Sequence, residues 1–495
     1  MNNRKTAALA LLLTALASPA SAQDPASGAP PAAPNGAAQS RAATILPITA
    51  ALEPRLDKIS RDVWSLAEVG FKETQSSALL QQELKAAGFR VKSGVGGMPT
   101  AFIAEAGTGG PVIALLAEYD ALPGLSQAAV AQESPVAGKN VSHACGHNLL
   151  GAASVTAAIA LKEWLQKNGI AGTVRLYGTP AEEGGFSKVY LVRDGFFKDV
   201  DLTLTWHPGD RNNATPSRFL AMISGKFRFQ GVAAHAAAAP ERGRSALDGV
   251  EVMDVATNFL REHIPQEARI HYVITKGGGQ PNIVPASAES FYYVRHYDTA
   301  VVKDIWDRVV KAAEGAALAT GTKVEVEIIS GTYGTLPNHT LNGIVQRNLE
   351  RVGGYSYSPA EAAFAKQILT TYPNLGIKES DPSQIDPMGP ERKDSGSSDV
   401  GDVSWVTPTA SLFTASFVRG TMPHSWQAAA ASGTPIGEKG ALVAAKTMAL
   451  TAAELFLSPE EIAAAKAEFI KQRGPDFKYV PLIGDRKPAL DYTDH

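Results

Sequence analysis

The sequence predicts an α/β protein on a mainly parallel sheet, with a smaller α+β domain inserted into it. Three observations carry that reading. Apolar runs of strand length alternate with helical patterns through residues 45–215, as in sheets covered on both faces. From about residue 218 to 331 the order becomes β-α-β-β-α-β, the ferredoxin-like order. The chain then returns to the first pattern and closes with two helical segments, ALVAAKTMALTAAELFL and SPEEIAAAKAEFIKQRG.

At the N-terminus, MNNRK is positively charged and TAALALLLTALA is apolar but short for a membrane span. SPASAQ then offers an Ala-x-Ala cleavage site, Ala20-Ser21-Ala22. This order predicts a signal peptide over residues 1–22, Gln23 as the mature start, and a periplasmic or secreted protein. Loss of Arg4 and Lys5 takes the formal charge from −3 to −5. Residues 23–43 are rich in Ala, Pro and Gly and are expected to form a flexible leader. The single cysteine excludes an internal disulfide. With 44% hydrophobic and 19% charged residues, the chain can bury a large core. No basic tract accompanies the 46 basic and 49 acidic residues, so nothing points to nucleic acid, or to a membrane surface once the signal is removed.

The first part of the main domain is placed at residues 44–217. Residues 51–68 and 76–88 have helical periodicity. TAFIAEAG and PVIALLAEYDAL are expected as adjacent buried strands. SVTAAIALKEWLQKNG is a helix ending at Gly169. GTVRLYGTPAEE and DLTLTWHPGD follow as further strands ending in turns. The inserted domain spans 218–331, the second part of the main domain 332–475, and a polar, Pro-containing surface tail 476–495.

Chemistry concentrates in a few stretches. In SHACGHNLLG, Cys145 and His147 lie two apart. If that piece is extended, both side chains project to one face. Thiolate and imidazole suit divalent transition metals, although a lone cysteine is ordinarily a small hydrophobe. In TPAEEGG, Glu182 and Glu183 follow an apolar strand, where strand ends build crevices. Adjacent carboxylates repel and are costly to bury unless cations compensate. Their side chains diverge, so one can bind a metal while the other handles a proton. LTWHPGD puts His207 at the end of the following strand, Tyr119-Asp120 ends an earlier one, and RGTMPHSWQ carries His424 in a loop.

Taken in order, EYDALPG, HACGHNLLG, GTPAEEGG, WHPGD, GGGQPNIVPA and SSDVGDVSW…PHSWQ resemble a family of metal-dependent amidohydrolases and carboxypeptidases. It includes aminoacylases, hippurate hydrolase, auxin-conjugate hydrolases and p-aminobenzoyl-glutamate hydrolase, and the last branch is the most similar. Asn148 departs from the CGHD form usual in the hippurate and auxin-conjugate groups. The resemblance implies two divalent metal ions, zinc or manganese with cobalt also possible. Cys145 would bridge them, with His147, Glu183, His207 and His424 completing the shells and Glu182 as general acid/base. It implies a homodimer through the inserted domain, which also serves as a lid. His235, in AAHAAAAP, would reach the partner's site and steady the oxyanion. Asn282 would bind substrate, and Arg295 is a weaker candidate for holding a carboxylate.

Such ions polarise an amide carbonyl and acidify water, and Glu182 would carry the proton to the leaving amine. The expected substrate is an N-acyl or N-aroyl amino acid or a short peptide; a dipeptidase or carboxypeptidase would use the same mechanism. Two readings of another class stand beside it. One is a Cys145-dependent hydrolase, which chelator would spare. The other is a non-catalytic exported binding protein, which would be expected to lack Glu182. The long loops 126–141 and 377–399 are where substrate choice is expected to reside.

Overall fold

The computed structural model describes residues 36–377 and 379–493. The expected signal peptide, and residues 23–35 of the expected leader, lie outside the described residues. The rest of that leader is a correction. Gly36–Ala43 is a helix, and Ala42 is buried in the main core. An Ala-rich stretch free of Pro favours a helix, and its small side chains allow close packing on Pro435–Leu457. Arg41 ties it down by donating to Asn168 O at 3.0 Å.

Six strands form the main sheet: β1 (Arg90–Ser93), β2 (Phe102–Thr108), β3 (Val112–Ala117), β4 (Gly172–Gly178), β5 (Leu202–Gly209) and β10 (Thr409–Ala415). Their order is β1-β2-β4-β3-β5-β10. The last four run parallel, while β2 is antiparallel to β4 and β1 to β2. Side chains of β3 alternate between two cores. Ile113, Leu115 and Ala117 face the cluster around His147–Asn168 and Pro435–Leu457, and Ala114 and Leu116 face that around Ser187–Arg193. A strand buried on both faces reads as an unbroken apolar run.

The expected adjacency of β2 and β3 is not found, because β4 lies between them. Glycines make room for it. Gly107 and Gly110 have positive φ, and a Cβ on them would stand 2.1 Å from Gly172 O and 2.3 Å from Ala171 O respectively.

The insertion follows the expected order: β6 (Ala221–Gln230), a helix Ala246–Leu260, β7 (Arg269–Lys276), β8 (Ser287–His296), a helix Thr299–Thr320 and β9 (Lys323–Thr332). Its antiparallel sheet runs β7-β8-β6-β9, packed through Phe227, Phe229, Met253 and Trp306. The C-terminal segment is a second correction, since it is no loose surface tail. Leu482 joins the insertion's core, Ile483 joins a main-domain core, and Tyr492 meets the Phe71 ring edge-on at 5.7 Å. Widely spaced apolar anchors hold it, and an averaged composition hides them.

Candidate active site

The C-terminal ends of the parallel strands carry the chemistry. Glu118 and Asp120 follow β3, Glu182 and Glu183 follow β4, His207 lies on β5, and His424 sits in the loop after β10. Cys145-Gly146-His147 is not extended, so the shared-face condition considered from the sequence is not the one that applies. Gly146 has φ +81°, and His147 opens the helix His147–Asn168. A Cβ on Gly146 would lie 2.9 Å from the Pro208 ring, so glycine is what lets the chain turn there. Even so, the turn delivers both side chains to one place.

There, Cys145 Sγ is 3.5 Å from His207 Nε2. His207 Nδ1 donates to Pro208 O at 2.8 Å, and His147 Nδ1 donates to Asp120 Oδ1 at 2.9 Å. Both imidazoles are thus tied back through Nδ1 and turn Nε2 inward, the arrangement of metal-ligating histidines. The other oxygen of Asp120 accepts from Glu183 N at 3.0 Å. His424 Nε2 lies 3.3 Å from Glu183 Oε2. All five donors expected from the sequence come together: ligand atoms of Cys145, His147 and His207 form one group within 4.8 Å, and those of Cys145, Glu183 and His424 form another.

The electrostatics of the two glutamates diverge. Burial, with Glu118 and Glu183 alongside, pushes Glu182 well above the ordinary carboxylate range. Burial also raises Glu183, but the hydrogen bond from His424 and the charge of His147 outweigh it and hold Glu183 at about 2. Burial and Glu183 push the Cys145 thiol up. Burial and His147 keep His207 lowered, hence neutral and able to ligate. Among the described residues, the buried atoms without hydrogen-bond partners include three that face this centre: Glu118 Oε2, His147 Nε2 and Glu183 Oε1. Such orphans are rare in native proteins. Soft sulfur, imidazole nitrogen and carboxylate oxygen in this arrangement fit divalent ions.

The cleft above these groups encloses about 600 Å³. Phe413 flanks it, its ring 6.0 Å from that of His207, with the Arg392 guanidinium 5.6 Å from the Phe413 centroid. Loop 377–399 contributes Arg392, Asp394 and Ser397 to the lining, whereas residues 126–141 contribute none. The structure does not bring His235, Asn282 or Arg295 to this cleft. His235 and Asn282 are neighbours in the insertion, where Ala236 N donates to Asn282 O at 3.0 Å. Arg295 lies on β8, its guanidinium 5.4 Å from the Tyr293 centroid.

Sequence reading missed Glu118, Lys188 and Asp399, and the orienting part of Asp120. Lys188 had one signal: it is the only charge in the apolar stretch GGFSKVYLV.

Residues 114–373 match the peptidase family M20/M25/M40. The chain belongs to this family. It is 45% identical over 430 residues to one of the p-aminobenzoyl-glutamate hydrolase subunits of Escherichia coli (strain K12), covering 81% of this chain and 89% of the relative. It is 31% identical over 432 residues to Xaa-Arg dipeptidase of Mus musculus, covering 84% and 89%. Among solved structures it resembles a dinuclear metal-binding M20 peptidase of Bacillus subtilis, with a TM-score of 0.54 and 17% identity, covering 82% of this chain and 99% of that one. The resemblance read from the motifs and the α/β class are borne out. The protein is a hydrolase acting on amide bonds.

Proposed function

We propose that the protein cleaves the amide bond of N-aroyl or N-acyl amino acids, p-aminobenzoyl-glutamate among them, using two divalent ions and Glu182 as general acid/base. The observation that carries this is the pair Glu182-Glu183, adjacent in sequence and pushed in opposite directions by their surroundings. Where neighbouring titratable groups are driven apart, one serves as proton carrier and the other stays ionised. When bound, the ions would polarise the amide carbonyl and acidify water. Cys145, His147, Glu183, His207 and His424 would hold them. Glu182 is basic enough to take a proton from water and pass it to the leaving nitrogen. Phe413 offers a flat wall for an aroyl ring, and Arg392 beside it a cation for a carboxylate.

His235 fits a role across a dimer. Its Nδ1 accepts from Ala237 N at 3.3 Å and Ala238 N at 3.2 Å, so Nε2 carries the proton and can donate to an oxyanion. The partner-facing surface would be the insertion's edge strand β7, where Val273 and Ile274 are exposed. We also assign export, with cleavage after Ala22, which mass spectrometry of the mature N-terminus checks.

The test is turnover of p-aminobenzoyl-glutamate, hippurate and N-acetyl amino acids by enzyme reconstituted with zinc or manganese. Turnover that survives complete chelation refutes the metal reading. The Xaa-Arg dipeptidase relative favours a second substrate reading, so Xaa-Arg dipeptides belong in the panel. For the dimer, His235→Ala and Glu182→Gln protomers are mixed under confirmed exchange. Restored activity supports action across the interface, and a dead mixture refutes it.

A further inference from the structure

The cation nearest this acidic cluster is buried. Lys188, on the helix Ser187–Arg193, is fully enclosed. Its Nζ donates to Glu118 Oε1 at 2.8 Å and to Asp399 Oδ1 at 2.5 Å. Asp399 also accepts from the Lys188 backbone N–H at 2.9 Å, so both ends of the residue are anchored on one carboxylate. A buried ammonium with two carboxylate partners is strongly favoured to stay in that arrangement, because moving it would leave uncompensated charge.

What this anchoring does to Glu118 is specific. With Oε1 held by Lys188, Oε2 points the other way. It lies 3.3 Å from His147 Nε2 and makes no hydrogen bond among the described residues. Asp120 already occupies the opposite nitrogen of His147. Glu183 Oε1, also without a hydrogen-bond partner, lies 4.0 Å from the same Nε2. Ligand atoms of Glu118, His147 and Glu182 fall within 4.8 Å of one another. Two acceptor-only oxygens turned toward a ligating nitrogen are repulsive neighbours unless a cation lies among them.

We propose that Lys188 is a positioning residue that holds Glu118 as a further carboxylate donor to the metal centre, on the His147 side. The inference rests on the two-metal reading. Lys188 itself would touch neither ion nor substrate. It would act by fixing which oxygen of Glu118 is free and where that oxygen faces.

The experiment is Zn²⁺ binding to the mature full-length chain, by competition with a chromophoric chelator, beside melting of the metal-free and Zn²⁺-loaded forms. Wild type should bind two ions. Glu118→Gln keeps the shape but weakens the donor, and should loosen one ion by about 10–100-fold while sparing the other. Lys188→Met should loosen the same ion, although it contacts none. In both variants the rise in melting temperature on adding Zn²⁺ should shrink. A purely structural role would instead lower melting of the metal-free form and leave that rise unchanged, and this would overturn the proposal. If Lys188→Met fails to fold, Glu118→Gln decides alone. Two ions bound by it with wild-type affinity would overturn the proposal and leave the two-metal reading standing. Wild type binding no Zn²⁺ would overturn both.

Discussion

Asp120→Asn should weaken metal binding without unfolding the protein, and the size of the effect can be worked from two contacts. Asp120 is buried, with one oxygen 2.9 Å from His147 Nδ1 and the other 3.0 Å from Glu183 N. Both partners are donors, and a carboxylate can accept from both. An asparagine side chain has one acceptor oxygen, so its NH₂ must face either His147 Nδ1–H or Glu183 N–H. One charge-assisted hydrogen bond is lost and a donor meets a donor. A hydrogen bond to a charged group contributes about 1.5–3 kcal/mol, which corresponds to roughly 10–150-fold in affinity. Direct tests of second-layer partners of metal-bound histidines give a similar range, about 10–100-fold. The assay is Zn²⁺ titration against a competing chelator, with far-UV circular dichroism to confirm folding. Asp120→Asn binding both ions with unchanged Kd would refute the reasoning, because Asp120 would then orient neither His147 nor Glu183.

Three further outcomes are expected. Glu182→Gln should lower kcat by about 10²–10⁴-fold with both ions retained, whereas Glu183→Gln should lose an ion; elemental analysis and turnover on the same samples decide, and the reverse pattern means the roles are exchanged. Gly146→Ala should be destabilised by about 1–3 kcal/mol, read from urea midpoints of the metal-free protein, because φ is +81° and the new methyl group would press on Pro208. Glu391 is held at about 2 by the hydrogen bond from His339 and by Arg218, against burial. Its folded pKa lies below the unfolded 4.5, so the stabilisation is present above about pH 4.5 and lost as pH falls through about 2. Glu391→Gln should therefore lower the urea midpoint at pH 7 and leave it unchanged near pH 2.

What was legible in the sequence was whatever repeats with a short period or sits at an element's end. The run VIALLA is apolar throughout because β3 is buried on both faces. Glu182, Glu183 and His207 stood out because they follow such runs, and strand ends share one edge of a parallel sheet, whereas Cys145, His147 and His424 were joined to them through the family resemblance. What was not legible depends on partners distant in the chain. Nothing local in TAFIAEAG says that β4, some seventy residues later, will lie beside it. The Cys-Gly-His turn was not legible, because the shared-face argument holds only for extended backbone and Gly146 takes a conformation open chiefly to glycine. Lys188 is a lone charge in an apolar stretch, and nothing local says what would pair with it. Only the arrival of Asp399, 211 residues downstream, makes it a buried one.

That distance bears on how the site assembles. Cys145, His147, Glu182, Glu183 and His207 all precede the insertion, whereas Asp399 and His424 follow it. The two halves meet where β10 pairs in parallel with β5, from Thr409 opposite Thr203 to Ala415 opposite Gly209. Before that pairing forms, Glu183 lacks His424, the group that most lowers it, and Lys188 lacks its nearest partner. The carboxylates after β3 and β4 would then repel one another with little to offset the repulsion. The site therefore becomes competent only once the chain has returned from the insertion, and high-affinity metal binding should report completion of the whole main sheet and not of its first half.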